Sequence, residues 1–206
     1  MLINSILQYP LIWDLSQIIF GANKQKKELY RSLIKKKGAL LDFGCADGNT
    51  FLAFKNFDYT GLDIDAKAIA HAEQKYVDFP NATFICDDVL KNNLPKESYD
   101  TILFAGTAHH LPDKDLFKIT RALARLLKKN GCLYFVDPVK DTSRKSKLLS
   151  FLISLDQGKF HRDEKFYTKN LKKFSKDLKP KFTRTHFMTG TFMPQPTYYI
   201  AKFVKA

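Results

Sequence analysis

Residues 40–50 read LLDFGCADGNT, from Leu40 to Thr50. An apolar pair, an acid and a phenylalanine run into two glycines four positions apart. Ala39–Phe43 has the length and character of a buried strand. Gly44 and Gly48 free the backbone to turn sharply and to come close to a ligand. A plain buried strand needs no Asp42, and a plain turn needs neither both glycines nor Asp47. The stretch therefore predicts a strand that delivers a binding turn.

Outward from that turn, strands and helices alternate. A helix is expected over Lys24–Lys36 and another starting at Asn49–Lys55. Tyr59–Asp63 reads as the second strand and Ala66–Val77 as a helix, with Ile69, Ala70, Glu73 and Val77 at helical spacing. Thr83–Cys86 and Tyr99–Ala105 read as strands three and four. Asp113–Lys129 reads as a helix with Leu116, Ile119, Leu123 and Leu126 on one face, ended by Asn130-Gly131. Cys132–Asp137 is the fifth strand. The rhythm predicts an α/β, doubly wound, Rossmann-like sheet, mostly parallel, with helices on both faces. After Asp137 the pattern changes to helices over Ser143–Leu155 and Thr168–Leu178. Strands Lys181–Met188 and Thr197–Val204 follow with no helix between them. They must pair as an antiparallel hairpin, making seven strands in all.

The 206 residues and 45% hydrophobic composition fit a single domain with a sizeable core, and 18 Phe with 9 Tyr argue against disorder. Within it we distinguish N-terminal helices over 1–37, a core over 38–138, a basic helical insertion over 139–180 and a closing strand pair over 181–206. Cys45, Cys86 and Cys132 are odd in number and lack metal-ligand spacing, which points to reduced thiols, a cytoplasmic protein and no metal. The first 20 residues are apolar but lack a basic start. Asn4, Gln8, Pro10, Asp14 and Gln17 interrupt them, so they read as a helix lying on the domain. That helix either completes the core, roofs a pocket as a lid, or touches a membrane. The net charge is +13, and residues 140–181 hold 13 Lys/Arg against five Asp/Glu. A solvated lysine-rich surface accounts for this. So would weak, nonspecific contact with nucleic acid or an anionic membrane.

Ligands of doubly wound sheets bind at the carboxyl ends of the strands. Asp63 ends the second strand 21 residues after Asp42. An acid about 20 residues beyond a glycine turn accepts both hydroxyls of a ribose. The turn lacks the G-x-G-x-x-G spacing of a dinucleotide site, and Asp42 and Asp47 would repel a pyrophosphate. They suit a nucleoside bearing cationic groups, such as an ammonium and a sulfonium.

These residues carry a resemblance. LLDFGCADGNT resembles the first motif of the class I S-adenosylmethionine-dependent methyltransferases. YTGLDIDAKAIAHA resembles the second, FICDDVLKNNLP the third, YDTILFAGTAHHLPD the fourth and LARLLKKNGCLYFVDP the fifth. Their order agrees over residues 38–138, and the resemblance is to the broad family. It implies S-adenosylmethionine as cofactor and S-adenosylhomocysteine as product. It further implies that Asp42 orients the methionine end, while Gly44, Ala46 and Gly48 line the cofactor. Asp63 takes the ribose hydroxyls and Ile64 packs on adenine. Asp87 accepts from the adenine amino group, with Asp88 or Val89 offering a backbone N–H. A carbonyl near Phe104 or Ala105 meets the ammonium. Ala46 replaces the usual middle glycine, which the loop tolerates if its φ stays negative. Asp65 is expected to cap the next helix.

Methyl transfer from an activated donor needs a general base only when the acceptor must lose a proton. His109 and His110, after the fourth strand, are the candidates, since imidazole exchanges protons near neutral pH. We aim His109 into the pocket; the plainer alternative is that one of the pair packs beneath the loop. Tyr9, Trp13, Asp137 and His161 are further acceptor-side candidates, with core packing the plain alternative for Tyr9 and Trp13. The favoured acceptor is a small or lipid-like molecule. An RNA methyltransferase and a catalytically inactive cofactor-binding protein are the alternatives. The first lacks an Asn/Asp-Pro-Pro-aromatic motif after the fourth strand.

Overall fold

The computed structural model describes residues 22–91, 93–140, 159–170, 173–187 and 197–206. The expected helices over the first 20 residues and over Ser143–Leu155 lie outside these, as do Tyr9 and Trp13.

Seven strands form one sheet: β1 (Ala39–Phe43), β2 (Asp58–Asp63), β3 (Ala82–Cys86), β4 (Tyr99–Ala105), β5 (Leu127–Val139), β6 (Leu178–Phe187) and β7 (Thr197–Lys205). Their order is β3-β2-β1-β4-β5-β7-β6. β1 through β5 pair in parallel. β7 enters antiparallel between β5 and β6, as the missing crossover helix requires. The direction of winding reverses between β1 and β4. A crevice forms there at the carboxyl ends. The described helices are α1 (Ala22–Leu33), α2 (Ala66–Lys75), α3 (Asp113–Leu126) and α4 (Glu164–Asn170).

Burial separates two apolar clusters. One joins α3 and α4 to the sheet through Leu116, Leu123, Phe135 and Tyr167; the other gathers Tyr30 of α1 with Phe51, Tyr59 and Tyr76. β1 is buried along almost its whole length, as a central parallel strand must be.

α1 ends at Leu33 rather than Lys36, α2 ends at Lys75 rather than Val77, β5 begins at Leu127 rather than Cys132, and three further elements depart from expectation. Asn49–Lys55 does not open an α-helix. Phe51–Ala53 is a 3-10 turn, and the amides of Phe51, Phe54 and Phe57 donate to the carbonyls of Gly48, Phe51 and Phe54. The three rings recur every third residue and all are buried, which matches a helix of three residues per turn. α3 ends at Leu126, three residues before Lys129. The amides of Glu97 and Ser98 take the carbonyls of Arg125 and Leu126, and Leu127 already pairs with Tyr99 of β4. The helix expected over Thr168–Leu178 starts at Glu164 instead. The Asp163 carboxylate accepts from the Phe166 amide at 2.7 Å and organises that start, and Leu178 belongs to β6.

Candidate active site at the carboxyl ends of β1, β2, β4 and β5

The glycine turn folds back onto the end of β2. The amides of Gly44 and Cys45 both donate to the Leu62 carbonyl, at 2.8 and 3.3 Å. Asp63 closes the arrangement: one carboxylate oxygen accepts from the Ala46 amide at 2.8 Å, the other from the Asp65 amide at 3.0 Å. Asp65 caps α2 through the amides of Lys67 and Ala68, as expected. Ile64 stands between these acids with 76% of its surface exposed, an apolar face beside the carboxylate.

The two glycines are required by the protein itself. Gly44 has φ 74°, and a Cβ there would lie 2.2 Å from the Thr107 hydroxyl oxygen. Gly48 has φ 73°, and its Cβ would meet the Phe84 ring at 2.6 Å. Close packing of the turn against the loop after β4 therefore demands glycine at Gly44.

Ala46 is a correction. Its φ is +47°, not negative. A left-handed L-residue costs about 1–2 kcal/mol, and the Asp63 bond to its amide helps hold it there. Ala46→Gly removes that strain, while glycine adds about 0.5–1 kcal/mol of chain entropy to be lost on folding. The strain is the larger of the two effects. We expect a gain of about 0.5–1 kcal/mol in urea denaturation; a loss would show that the exposed methyl group packs usefully.

Asp47 is buried beneath the turn. It accepts both bonds of the Asn49 amide nitrogen, at 2.8 and 2.9 Å, and pairs with Lys75 of α2 at 3.2 Å. Asp42 is 2% exposed and accepts from the Tyr59 hydroxyl at 2.6 Å. Burial pushes its carboxyl up to about 7, against the opposing pull of the Tyr59 bond, and the nearby Asp63 charge pushes the same way. Burial, with the charges of Asp42 and Asp63, raises the Cys45 thiol far above its ordinary value, so that thiol is a small buried apolar group.

At β3, the Asp87 amide donates to the Asp63 carbonyl at 2.9 Å, and its carboxylate accepts from the Asp88 amide at 2.7 Å. Asp88 in turn accepts from the Leu90 amide, and Val89 is buried. Phe104 is fully buried, whereas the Ala105 carbonyl accepts from the Thr107 hydroxyl at 3.2 Å.

The loop after β4 carries the histidines. His109 is 4% exposed and His110 is exposed. The His109 ring is almost wholly buried. Its Nδ1 lies 2.9 Å from Asp137 Oδ1 at the end of β5, and the Tyr167 hydroxyl donates to Asp137 Oδ2 at 2.7 Å. His161 stacks on His109, ring centroids 5.0 Å apart and planes 14° apart. Among the described residues, no cluster of histidines, cysteines and acids is arranged to hold a metal ion.

Sequence reasoning missed Arg162. It is 7% exposed and donates to the carbonyls of Ala108, Phe160 and Leu111 and to Asp113, while its guanidinium lies 5.1 Å from the Phe166 ring centroid. The available signal was composition. Eleven of the 13 basic residues over 140–181 are lysines, and Arg162 is one of the two arginines. A rigid five-donor fork is what a buried multi-carbonyl site needs. The described lysines of the segment, such as Lys165, Lys169 and Lys181, are exposed, as a solvated surface predicts.

A doubly wound sheet with an acid-bounded glycine turn at its reversal point defines a nucleoside-binding α/β protein. Residues 40–131 match the family model of a methyltransferase domain. The matched segment carries β1 through β4 and the start of β5, and the seven-stranded sheet as a whole has the Rossmann-like fold of methyltransferases. The chain is 29% identical over 109 residues to carboxy-S-adenosyl-L-methionine synthase of Helicobacter pylori (strain Shi470), covering 50% of this chain and 43% of that protein. It is 29% identical over 101 residues to 2-methyl-6-phytyl-1,4-hydroquinone methyltransferase of a Synechocystis species, covering 48% and 31%. The match thus spans less than half the length of either relative. In fold, it is similar to a methyltransferase of Methanosarcina mazei, with a TM-score of 0.66, 19% identity, and 86% and 96% of the two chains covered. It is also similar to geranyl diphosphate C-methyltransferase of Streptomyces coelicolor A3(2), with a TM-score of 0.70, 12% identity, and 89% and 76% covered. No helix among the described residues is long and apolar enough to cross a membrane.

Proposed function

We propose that the protein transfers a methyl group from S-adenosylmethionine to a small or lipid-like acceptor. The observation that carries this reading is Asp63, set between the glycine turn and the exposed Ile64. Each carboxylate oxygen accepts one backbone N–H and has a second lone-pair site for a ribose hydroxyl. Ile64 offers an apolar face to adenine, and Asp87 accepts from its amino group. Asp42 supplies negative charge below the methionine end, near the carbonyls of Phe104 and Ala105. The residues present therefore fit the cofactor. When bound, it supplies an activated methyl group, and the chain's part is to position and desolvate it. His109 and His110 are the candidates for receiving an acceptor proton.

A small acceptor is supported by the hydroquinone and geranyl diphosphate named for two of the similar proteins. The exposed lysines do not by themselves favour RNA.

Calorimetric titration with S-adenosylmethionine, S-adenosylhomocysteine and NAD tests the reading. Both adenosyl ligands should bind, and Asp63→Ala should weaken them by about 1.5–3 kcal/mol, the worth of hydrogen bonds to a charged group. Binding of NAD with no response to either adenosyl ligand overturns it.

A further inference from the structure

We propose that the end of the sheet opposite the cofactor turn docks on an anionic lipid bilayer, leaving the carboxyl ends of the strands turned toward water. The proposal goes beyond the methyltransferase reading and does not depend on it. It starts from topology. β1 to β5 are parallel, and β7 runs against both β5 and β6, so β6 runs with the parallel strands. The chain therefore enters six strands, and leaves β7, at one end of the sheet.

Lysines gather at that end. Lys35, Lys36 and Lys37 lead into β1, Lys55 leads into β2 and Lys96 into β4. Lys128 and Lys129 stand at the start of β5, Lys176 and Lys179 flank the start of β6, and Lys205 ends β7. Contacts join these segments. Lys128 donates to Asp100 at 2.8 Å, and Lys205 reaches Glu97 at 3.1 Å and the Leu127 carbonyl at 2.7 Å. The Asp100 carboxyl is held below its ordinary range by the Lys128 bond first, and by the Lys36 charge as well. Asp58, Asp78 and Asp177 are the further acids here, and the other eight lysines are exposed. The opposite end carries Asp42, Asp47, Asp63, Asp65, Asp87 and Asp88, around the carboxyl ends of β1, β2 and β3. A negative surface attracts the first end and repels the second, so the charge also sets the orientation.

The chemistry of the positive end selects a bilayer. It is broad: five interstrand spacings separate β2 from β6, about 24 Å at about 4.8 Å each. Its charge is carried by lysine, a compact hydrated point charge, whereas recognition of nucleic acid favours the arginine fork. Phe57, Tyr99, Phe174 and Phe203, the rings beside it, are buried, and a nucleic-acid strand stacks on exposed rings. Protein interfaces have an apolar core and few lysines. An anionic bilayer asks only for cations spread over an area, each strengthening partitioning about fivefold.

Sedimentation of the full chain with lipid vesicles tests the proposal. Phosphatidylcholine vesicles with about 30% phosphatidylglycerol are compared with pure phosphatidylcholine, at about 0.1 M and about 0.5 M salt. The protein should bind the anionic vesicles at low salt and leave them at high salt, where charge is screened. Lys35→Gln, Lys36→Gln and Lys37→Gln combined should weaken partitioning about 100-fold. Lys67→Gln, Lys114→Gln and Lys140→Gln combined remove the same charge from exposed positions at the other end. They should weaken it less than about fivefold. Equal losses in the two triple variants would mean that net charge alone attracts the protein, and would overturn the proposal. Equal binding to pure phosphatidylcholine overturns it as well. Tighter binding to a single-stranded RNA oligonucleotide than to the anionic vesicles would assign this end to nucleic acid instead.

Discussion

The ligand-free protein should lose about 4 kcal/mol of stability relative to an Asp42→Asn variant as the pH rises from about 4 to 8. Folding moves the Asp42 carboxyl from 3.8 to about 7, chiefly because the group is buried. Between these values the native protein keeps a proton that the unfolded chain has released. Raising the pH therefore favours the unfolded chain. The contribution is fully present below 3.8 and is lost as the pH rises through about 7. Asparagine keeps an oxygen for the Tyr59 hydroxyl, has no charge, and removes the dependence. Other carboxylates oppose the trend. Asp100, held by Lys128 at 2.8 Å, lies below its ordinary range and stabilises more as pH rises. The measurement is therefore the difference between the two urea-denaturation curves across pH. Parallel curves would show that Asp42 is ionised throughout.

The cost of a charge at Asp42 has a use in the proposed complex. A ligand bearing an ammonium and a sulfonium favours the ionised carboxylate, so part of the binding energy goes into removing its proton below pH 7. Asparagine at this position should thus stabilise the empty fold at neutral pH and weaken the cofactor. Stability and binding pull in opposite directions at one buried side chain.

The parallel core was legible because its signals are local. Ala39–Phe43 and Tyr99–Ala105 were bounded correctly from apolar run length, and the Asp42–Asp63 spacing pointed to the turn that Asp63 closes. What failed depends on distant partners. The end of α3 is set by amides at Glu97 and Ser98, and nothing within Asp113–Lys129 encodes it. The 3-10 turn is the exception: it is encoded locally, in the three-residue spacing of Phe51, Phe54 and Phe57, which departs from the α-helical period. The left-handed φ of Ala46 follows from the hydrogen bond to Asp63, 17 residues away. His109 was legible as a candidate, but its environment was not. Asp137 and Tyr167 lie 28 and 58 residues further along, and only the sheet order brings them together.

Arg162→Met should destabilise the protein by about 3–5 kcal/mol, the range for removing one partner from a buried charged network. Methionine fills a similar apolar volume, so packing alone predicts a small change. The hydrogen bonds predict a large one. Arg162 satisfies three carbonyls, those of Ala108, Phe160 and Leu111, and binds Asp113 through Nε and Nη2 at 2.9 and 2.8 Å. Asp113 is 57% exposed and regains water when the partner is lost, so its share is small. The carbonyls are the costly part, since each buried unpaired polar group costs about 1–3 kcal/mol. Arg162→Lys separates charge from geometry. A lysine restores the charge beside Asp113 but has one nitrogen where the fork has three, so it cannot reach all three carbonyls. We expect it to recover less than half of the loss in urea denaturation. Recovery of most of it would mean that charge, not the fork, holds the histidine loop against the end of β5.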